Sequence, residues 1–208
     1  MYLFFKRLFD IILSGISIII LLPILLLIAV CIKCGSQGPI FFQQKRIKMN
    51  KQFFKILKFR TMYIDAPKDM PTHLLNHPDA YITPIGKFLR KTSLDELPQL
   101  FNIFCGDMAI VGPRPALWNQ DDLIAERDKY GANNVPVGLT GWAQVNGRDE
   151  LPIEVKAKLD GDYAQHNSFF FDIKIILLTV ANVFKAKGVV EGGTSGLEQG
   201  KQAVEEKK

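Results

Sequence analysis

The sequence predicts a small, mainly helical α/β domain carried on a membrane helix at its N-terminus. Three observations predict it. The segment from Ile11 to Ile32 holds no charged residue, and at 1.5 Å per residue it reaches roughly 30 Å, enough for a bilayer core. Beyond it lie apolar stretches at helical spacing, separated by glycine and proline turns. The 208 residues have room for one globular domain plus such an appendage.

Composition narrows the partners. A net charge of +5 suits an anionic partner: lipid headgroups, nucleotide phosphates or nucleic acid. Three cysteines are too few for a disulfide scaffold. Cys31 and Cys34 form a CxxC with no second pair, at the end of an apolar run, and read as helix-end thiols on a reducing face rather than a zinc or redox site.

The first ten residues, MYLFFKRLFD, are aromatic and basic, which suits a headgroup zone. Pro23 falls near the middle of the apolar run, removes one backbone donor and crowds the Ile19 carbonyl, so a kink is expected. Length favours a helix that spans; the alternative is a helix–break–helix that dips into one leaflet and returns. Flanking charge does not decide, because Lys6 and Arg7 on one side face Lys33, Lys45, Arg46 and Lys48 on the other.

The anchor, residues 1–34, ends at the GSQGP turn, where the cytosolic domain of residues 35–190 begins. Ile40 to Met62 interleaves cations with phenylalanines and reads mostly as a basic face against headgroups, with Lys58 and Arg60 placed to reach a phosphate. The turn-rich stretch from Asp65 to Thr83, with His73 and His77, reads as a loop over the site rather than a metal pair. Pro84 opens an amphipathic helix, PIGKFLRK.

KTSLDELPQL, Lys91 to Leu100, is the stretch around which the rest is organised. Asp95 and Glu96 stand on the first turn of an expected helix, and Ser93-x-x-Glu96 matches a capping box, which by itself accounts for both acids. Their surroundings point further. Arg90 and Lys91 precede them, and GPRP (Gly112 to Pro115) follows one short apolar segment. Two prolines around Arg114 present a guanidinium at low entropic cost, which suits a phosphate. An ionised Asp95 at a helix start can act as a nucleophile or metal ligand, and Glu96 can bind the metal or handle a proton.

Trp118 to Tyr130 reads as a surface helix. In VGLTGWAQVNGRDE the glycines allow close approach to a ligand, and Gln144, Asn146 and Arg148 would share one face of an extended strand. Glu154 to Tyr163 reads as a helix. Phe169 to Lys187 carries Asp172, Lys174, Lys185 and Lys187, too many charges to span a bilayer, and reads as a helix lying in the interface or packed on the anchor. Residues 191–208 have no apolar period and are expected to be disordered.

FKILKFRTM, GKFLRKTSLDELPQLFNIFCGDMAIVGPRPAL and GLTGWAQVNGRDE occur in an order that resembles the bacterial sugar transferases, the small monotopic phosphoglycosyl transferases. That resemblance covers about Lys6 to Gly188. It implies transfer of a sugar-1-phosphate from a UDP-sugar to undecaprenyl phosphate with release of UMP, the first membrane step of capsule, exopolysaccharide or glycoprotein glycan assembly. It implies Asp95 as a covalent nucleophile, Glu96 as its dyad partner, Mg²⁺ at the pair, and phosphate- or nucleotide-binding roles for Lys58, Arg90 and Arg114, with Arg148 in a matching motif; Arg60, Pro113 and Gln144 join them as substrate- or phosphate-binding candidates from their own positions in the sequence. It implies a re-entrant anchor broken at Pro23, though Leu22 stands where well-studied members have a serine. The catalytic domain would then sit on the cytoplasmic face of the bacterial inner membrane, with the bilayer and both substrates as partners and no nucleic acid. Two rival readings are a membrane-tethered basic binding protein without chemistry, and direct attack by the lipid phosphate with Asp95 and Glu96 only holding Mg²⁺.

Overall fold

A computed structural model describes residues 1–67, 78–147 and 151–185. The expectations placed on His73, His77, Arg148, Lys187 and the tail of residues 191–208 lie outside the described residues. The architecture is mainly helical with two small sheets.

The apolar run and its flanks form a single helix of 34 residues, α1 (Tyr2–Gly35), which continues through Pro23. Its partners are distributed along its length. Lys6 pairs with Asp172 at 2.6 Å, and Arg7 donates to the carbonyls of Ile103 and Phe104 at 2.6 and 2.8 Å. Asp10 accepts from the Ile110 N–H at 3.0 Å. Further along, Leu25, Ile28 and Ile32 pack against Phe59 and Leu89. The opposite face, with Phe4, Phe5, Ile12, Ile19, Ile20 and Leu27, is exposed. Cys31 and Cys34 are exposed free thiols. Lys6 and Asp10 are both buried, so the basic start of the anchor is turned into the protein and not toward headgroups as its composition suggests.

The basic, aromatic stretch is a β-hairpin: β1 (Phe41–Ile47) and β2 (Phe53–Phe59) pair antiparallel with Phe41 opposite Phe59 and Ile47 opposite Phe53. Alternation sorts its side chains. Phe54, Ile56 and Lys58 share one face of β2, and the first two are buried against Leu100 and Ile103. Phe59 takes the other face and meets α1.

Thr83 caps α2 (Pro84–Thr92), accepting from the Gly86 N–H at 3.0 Å. Gly86 has no room for a side chain, since a Cβ there would stand 2.0 Å from the Thr61 carbonyl oxygen. That close approach pins α2 to the end of β2. After Ser93, at φ 56°, come a 3₁₀ turn (Leu94–Glu96) and α3 (Gln99–Cys105). The expected single helix is thus split, and Ser93 makes no side-chain cap. The capping box does not form because Ser93 is the left-handed residue that closes α2.

The apolar segment beyond Gly106 is β3 (Ala109–Val111), which pairs in parallel with β4 (Gly138–Thr140). Between them lies α4 (Asp121–Asp128). It is less of a surface helix than its sequence suggests, because Arg127 is buried against Asp160. The last described elements are α5 (Trp142–Val145), α6 (Ile153–His166) and α7 (Phe169–Lys185). α7 packs on the anchor through Asp172–Lys6 and the Phe9–Phe169 ring contact at 6.0 Å.

Candidate active site

Three segments converge on the acid pair. The 3₁₀ turn supplies Asp95 and Glu96. Lys58 arrives on the inward face of β2, and its Nζ lies 2.8 Å from Glu96 Oε1 and 4.0 Å from Asp95 Oδ2. Arg114 arrives on the turn after β3, with Nη2 2.7 Å from the same Glu96 oxygen. Asp95 is 8% exposed, so the nucleophile candidate lies at the floor of a cationic site, not in bulk solvent.

Each arm is braced. Asn102, one turn along α3 from Gln99, accepts from the Leu57 N–H at 2.8 Å and donates to the Lys55 carbonyl at 2.9 Å. These bonds fix the β2 backbone on either side of Ile56, just before Lys58. The GPRP turn is held at successive carbonyls: Pro113 accepts from Gly138 N–H at 2.9 Å, Arg114 from Arg127 at 3.0 Å, and Pro115 from Arg46 at 2.9 Å.

Burial alone would raise the Glu96 carboxyl, but Arg114 and Lys58 together outweigh it and hold the group far below the ordinary carboxylate range. Glu96 therefore stays ionised at any physiological pH. It neutralises part of the positive charge that faces Asp95 and keeps two flexible cations in one place.

The other expected site residues divide. Arg90 donates through Nε to Thr61 Oγ1 at 2.9 Å, on α2 beside the acid turn. Arg60 has structural partners: its buried guanidinium donates to the Ser36 carbonyl at 2.9 Å, to Ser36 Oγ at 3.0 Å and to the Gln37 carbonyl. It ties down the end of the anchor, while its backbone N–H still bonds across the hairpin to the Ile40 carbonyl at 2.9 Å. The shared strand face for Gln144 and Asn146 is corrected. Trp142–Val145 is helical, with Gln144 donating to the Leu139 carbonyl at 3.0 Å and Asn146 to that of Trp142 at 2.7 Å. The nearby glycines serve backbone contact and not a ligand: a Cβ at Gly138 would stand 2.1 Å from Gly112 N, and one at Gly141 2.2 Å from the Gly112 carbonyl oxygen.

Among the described residues no group of three or more His, Cys, Asp or Glu is assembled to hold a metal ion. Two adjacent carboxylates suit Mg²⁺ of the kind bound by one or two acids and completed by substrate phosphates and water. The donor set fits that use.

Comparison with known proteins settles the family. The model of the bacterial sugar transferase family matches residues 1–186. The chain belongs to the bacterial sugar transferase family. Similar proteins include the uncharacterized sugar transferase EpsL of Bacillus subtilis, 42% identical over 190 residues that cover 88% of this chain and 89% of that protein. The undecaprenyl-phosphate glucose phosphotransferase of Komagataeibacter xylinus is 40% identical over 84% of this chain and 35% of its own length. The UDP-glucose:undecaprenyl-phosphate glucose-1-phosphate transferase of Escherichia coli is 37% identical over 88% of this chain and 40% of its own. This sugar transferase chain therefore spans about two fifths of the longer relatives.

Within the family site, sequence reasoning missed Asn102, Arg127 with Asp160, and the anchor residues Lys6 and Asp10. No local pattern marks Asn102, whose role depends on a strand 45 residues away.

Proposed function

We propose that the chain moves a sugar-1-phosphate from a UDP-sugar to undecaprenyl phosphate, releasing UMP, at the inner membrane's cytoplasmic face, where surface glycan assembly begins. The observation that carries this reading is the convergence of Lys58 and Arg114 on the Asp95–Glu96 turn. Relatives named for glucose-1-phosphate transfer to undecaprenyl phosphate support the substrate class and make UDP-glucose the first donor to test.

In the first step an Asp95 oxygen attacks the phosphorus that bears the sugar. The bridging P–O bond breaks, and UMP leaves with the bridging oxygen and its electron pair. An oxygen of the lipid phosphate then attacks the same phosphorus, the acyl phosphate bond breaks, and the Asp95 carboxylate is regenerated. Phosphoryl transfer depends chiefly on positioning and charge neutralisation, which Lys58 and Arg114 supply. Asp95 and Glu96 would hold Mg²⁺, which supplies charge neutralisation at the diphosphate when bound. Splitting the reaction lets a soluble donor and a membrane acceptor use one site in turn.

α1 is re-entrant in this reading, with both ends on the cytoplasmic side. Its support is the run of contacts to one domain from Lys6 to Ile32, closed by Arg60 on Ser36. Pro23, which removes one backbone donor inside α1, is where a bend would have to be centred.

The test is Asp95→Asn assayed for UMP release from a UDP-sugar with undecaprenyl phosphate. Loss of release, with the protein still in the membrane fraction, is expected; undiminished turnover would refute the catalytic reading. Retention of radiolabelled sugar phosphate on the protein without lipid is expected for the covalent route, and its absence during active turnover would assign direct attack by the lipid.

A further inference from the structure

α1 carries two charged residues that a membrane anchor does not need and that solvent barely touches. Lys6 is 6% exposed and Asp10 3%. Burying ionisable groups is costly unless they are paired or hydrogen-bonded, so their contacts identify what they hold. Lys6 pairs with Asp172 of α7, whose carboxylate also accepts from the hydroxyls of Tyr2 and Tyr163 at 2.7 and 2.8 Å. Asp10 receives the Ile110 N–H, and the Tyr163 hydroxyl also lies 3.2 Å from the Val111 carbonyl.

These last two contacts fall on consecutive residues of β3, three and four positions before Arg114. The segment between is stiff. Gly112 N–H donates to the Thr140 carbonyl at 2.9 Å, Gly138 N–H to that of Pro113, and prolines stand on both sides of Arg114. β3, the turn and β4 are thus tied into one unit, and Asp10 is the hold that α1 has on that unit at Ile110.

Of the two contacts, Asp10 is the stronger. The Tyr163 hydroxyl has one hydrogen, shared between the shorter bond to Asp172 and the longer one to Val111, and the charged acceptor takes the larger part. Asp10 accepts from a backbone N–H on the edge of β3 that has no strand partner there, because the parallel ladder pairs Ala109 and Val111 only. Without Asp10 that donor would lose its protein acceptor.

We propose that Asp10, on the membrane helix, is a positioning residue for the phosphate-binding guanidinium of Arg114, acting through the Ile110 N–H, with Tyr163 as its auxiliary. The anchor's first turns thereby form part of the scaffold of the transfer site as well as its attachment. This rests on the proposed role of Arg114 in the transfer reaction.

The test is a double-mutant cycle in detergent, where membrane insertion is not limiting. Asp10→Leu is expected to lower kcat/KM about ten- to a hundred-fold, the cost of displacing a catalytic group by about 1 Å. Asp10→Asn keeps an oxygen acceptor and is expected to restore kcat/KM to within about three-fold. In an Arg114→Ala background, Asp10→Leu is expected to add little further loss, because the two act through one group. A loss of equal size in both backgrounds would overturn the proposal and leave Asp10 a structural residue. Hydrogen exchange at the amides of Ile110 to Gly112 decides independently of turnover: faster exchange in Asp10→Leu is expected, and unchanged exchange would overturn the proposal. If wild-type protein transfers no sugar phosphate, the proposed function fails while this exchange readout still tests the contact. If Asp10→Leu does not fold, Asp10→Ala carries the same cycle, since it removes the same acceptor from the Ile110 N–H; an equal loss in both Arg114 backgrounds there has the same meaning.

Discussion

Replacing Glu96 by Gln tests the site most directly, because it removes a charge while leaving an oxygen acceptor in place. The Glu96 carboxylate accepts from Lys58 at 2.8 Å and Arg114 at 2.7 Å. A bond to a charged group contributes about 1.5–3 kcal/mol and a neutral one about 0.5–1.5, so the pair of bonds should weaken by about 2 kcal/mol in all. The side chains are between 18% and 32% exposed, and screening brings the expected destabilisation to about 1–2 kcal/mol, a fall in Tm of a few degrees. The kinetic consequence has a definite sign. With the anion gone, Lys58 and Arg114 attract the donor diphosphate more strongly in the ground state but are no longer held in place. KM for the UDP-sugar should stay level or fall while kcat drops about ten- to a hundred-fold. Steady-state UMP release and thermal unfolding read both quantities. An unchanged kcat with a raised KM would refute the role of Glu96 in arranging the cations and leave it only the proposed part in holding Mg²⁺ at the donor diphosphate. The pH dependence follows from the same pairing. The folded-state pKa of Glu96 is depressed, so the group contributes stability that is full above its ordinary value of 4.5 and is lost as pH falls below it. The stability gap between wild type and Glu96→Gln should therefore be constant near neutrality and narrow in acid.

Two further outcomes are expected. Asp160→Asn leaves the buried Arg127 (3% exposed) without its counter-charge, at a cost of about 3–5 kcal/mol by denaturant unfolding. Arg127→Met with Asp160→Leu should recover most of that stability but not the activity, because Arg127 also holds the Arg114 carbonyl; full activity in the double variant would show that this bond is dispensable. A tag at Met1 should be inaccessible to reagents outside intact cells, and labelling from outside would mean that α1 spans the bilayer.

Much of the candidate site's geometry was legible in the sequence because it lies in short local signals. Asp95 and Glu96 are adjacent, GPRP is rigid by composition, and the alternation of Phe54, Ile56 and Lys58 places a lysine on the inward face of a strand. What failed was inference from patterns that tertiary context overrides. Ser93-x-x-Glu96 has the letters of a capping box, yet Ser93 is needed as the left-handed end of α2, and one residue cannot close one helix and cap the next in that way. Arg60 belongs to the same basic stretch as Lys58, yet two positions on it has left the strand and meets Ser36. Gln144 and Asn146 alternate in sequence, but the chain turns helical at Trp142 and sends them to different carbonyls.

The anchor is the most instructive case, because length and hydropathy describe α1 without its partners. An apolar run from Ile11 to Ile32 has the same composition whether it crosses lipid or lies along a protein. The difference lies in what the flanking charges meet. Lys6 and Asp10 could have pointed to water or headgroups, and no feature of MYLFFKRLFD forbids it. They are buried because Asp172 and the Ile110 N–H, both more than 90 residues away, stand where α1 passes. A helix whose first turns bond to β3 and α7 and whose last turns pack on β2 and α2 is committed to one domain at both ends. In the proposed reading such a helix would attach the site to the membrane while holding the strand that leads into the Arg114 turn, so that anchoring and site geometry would come from the same set of contacts.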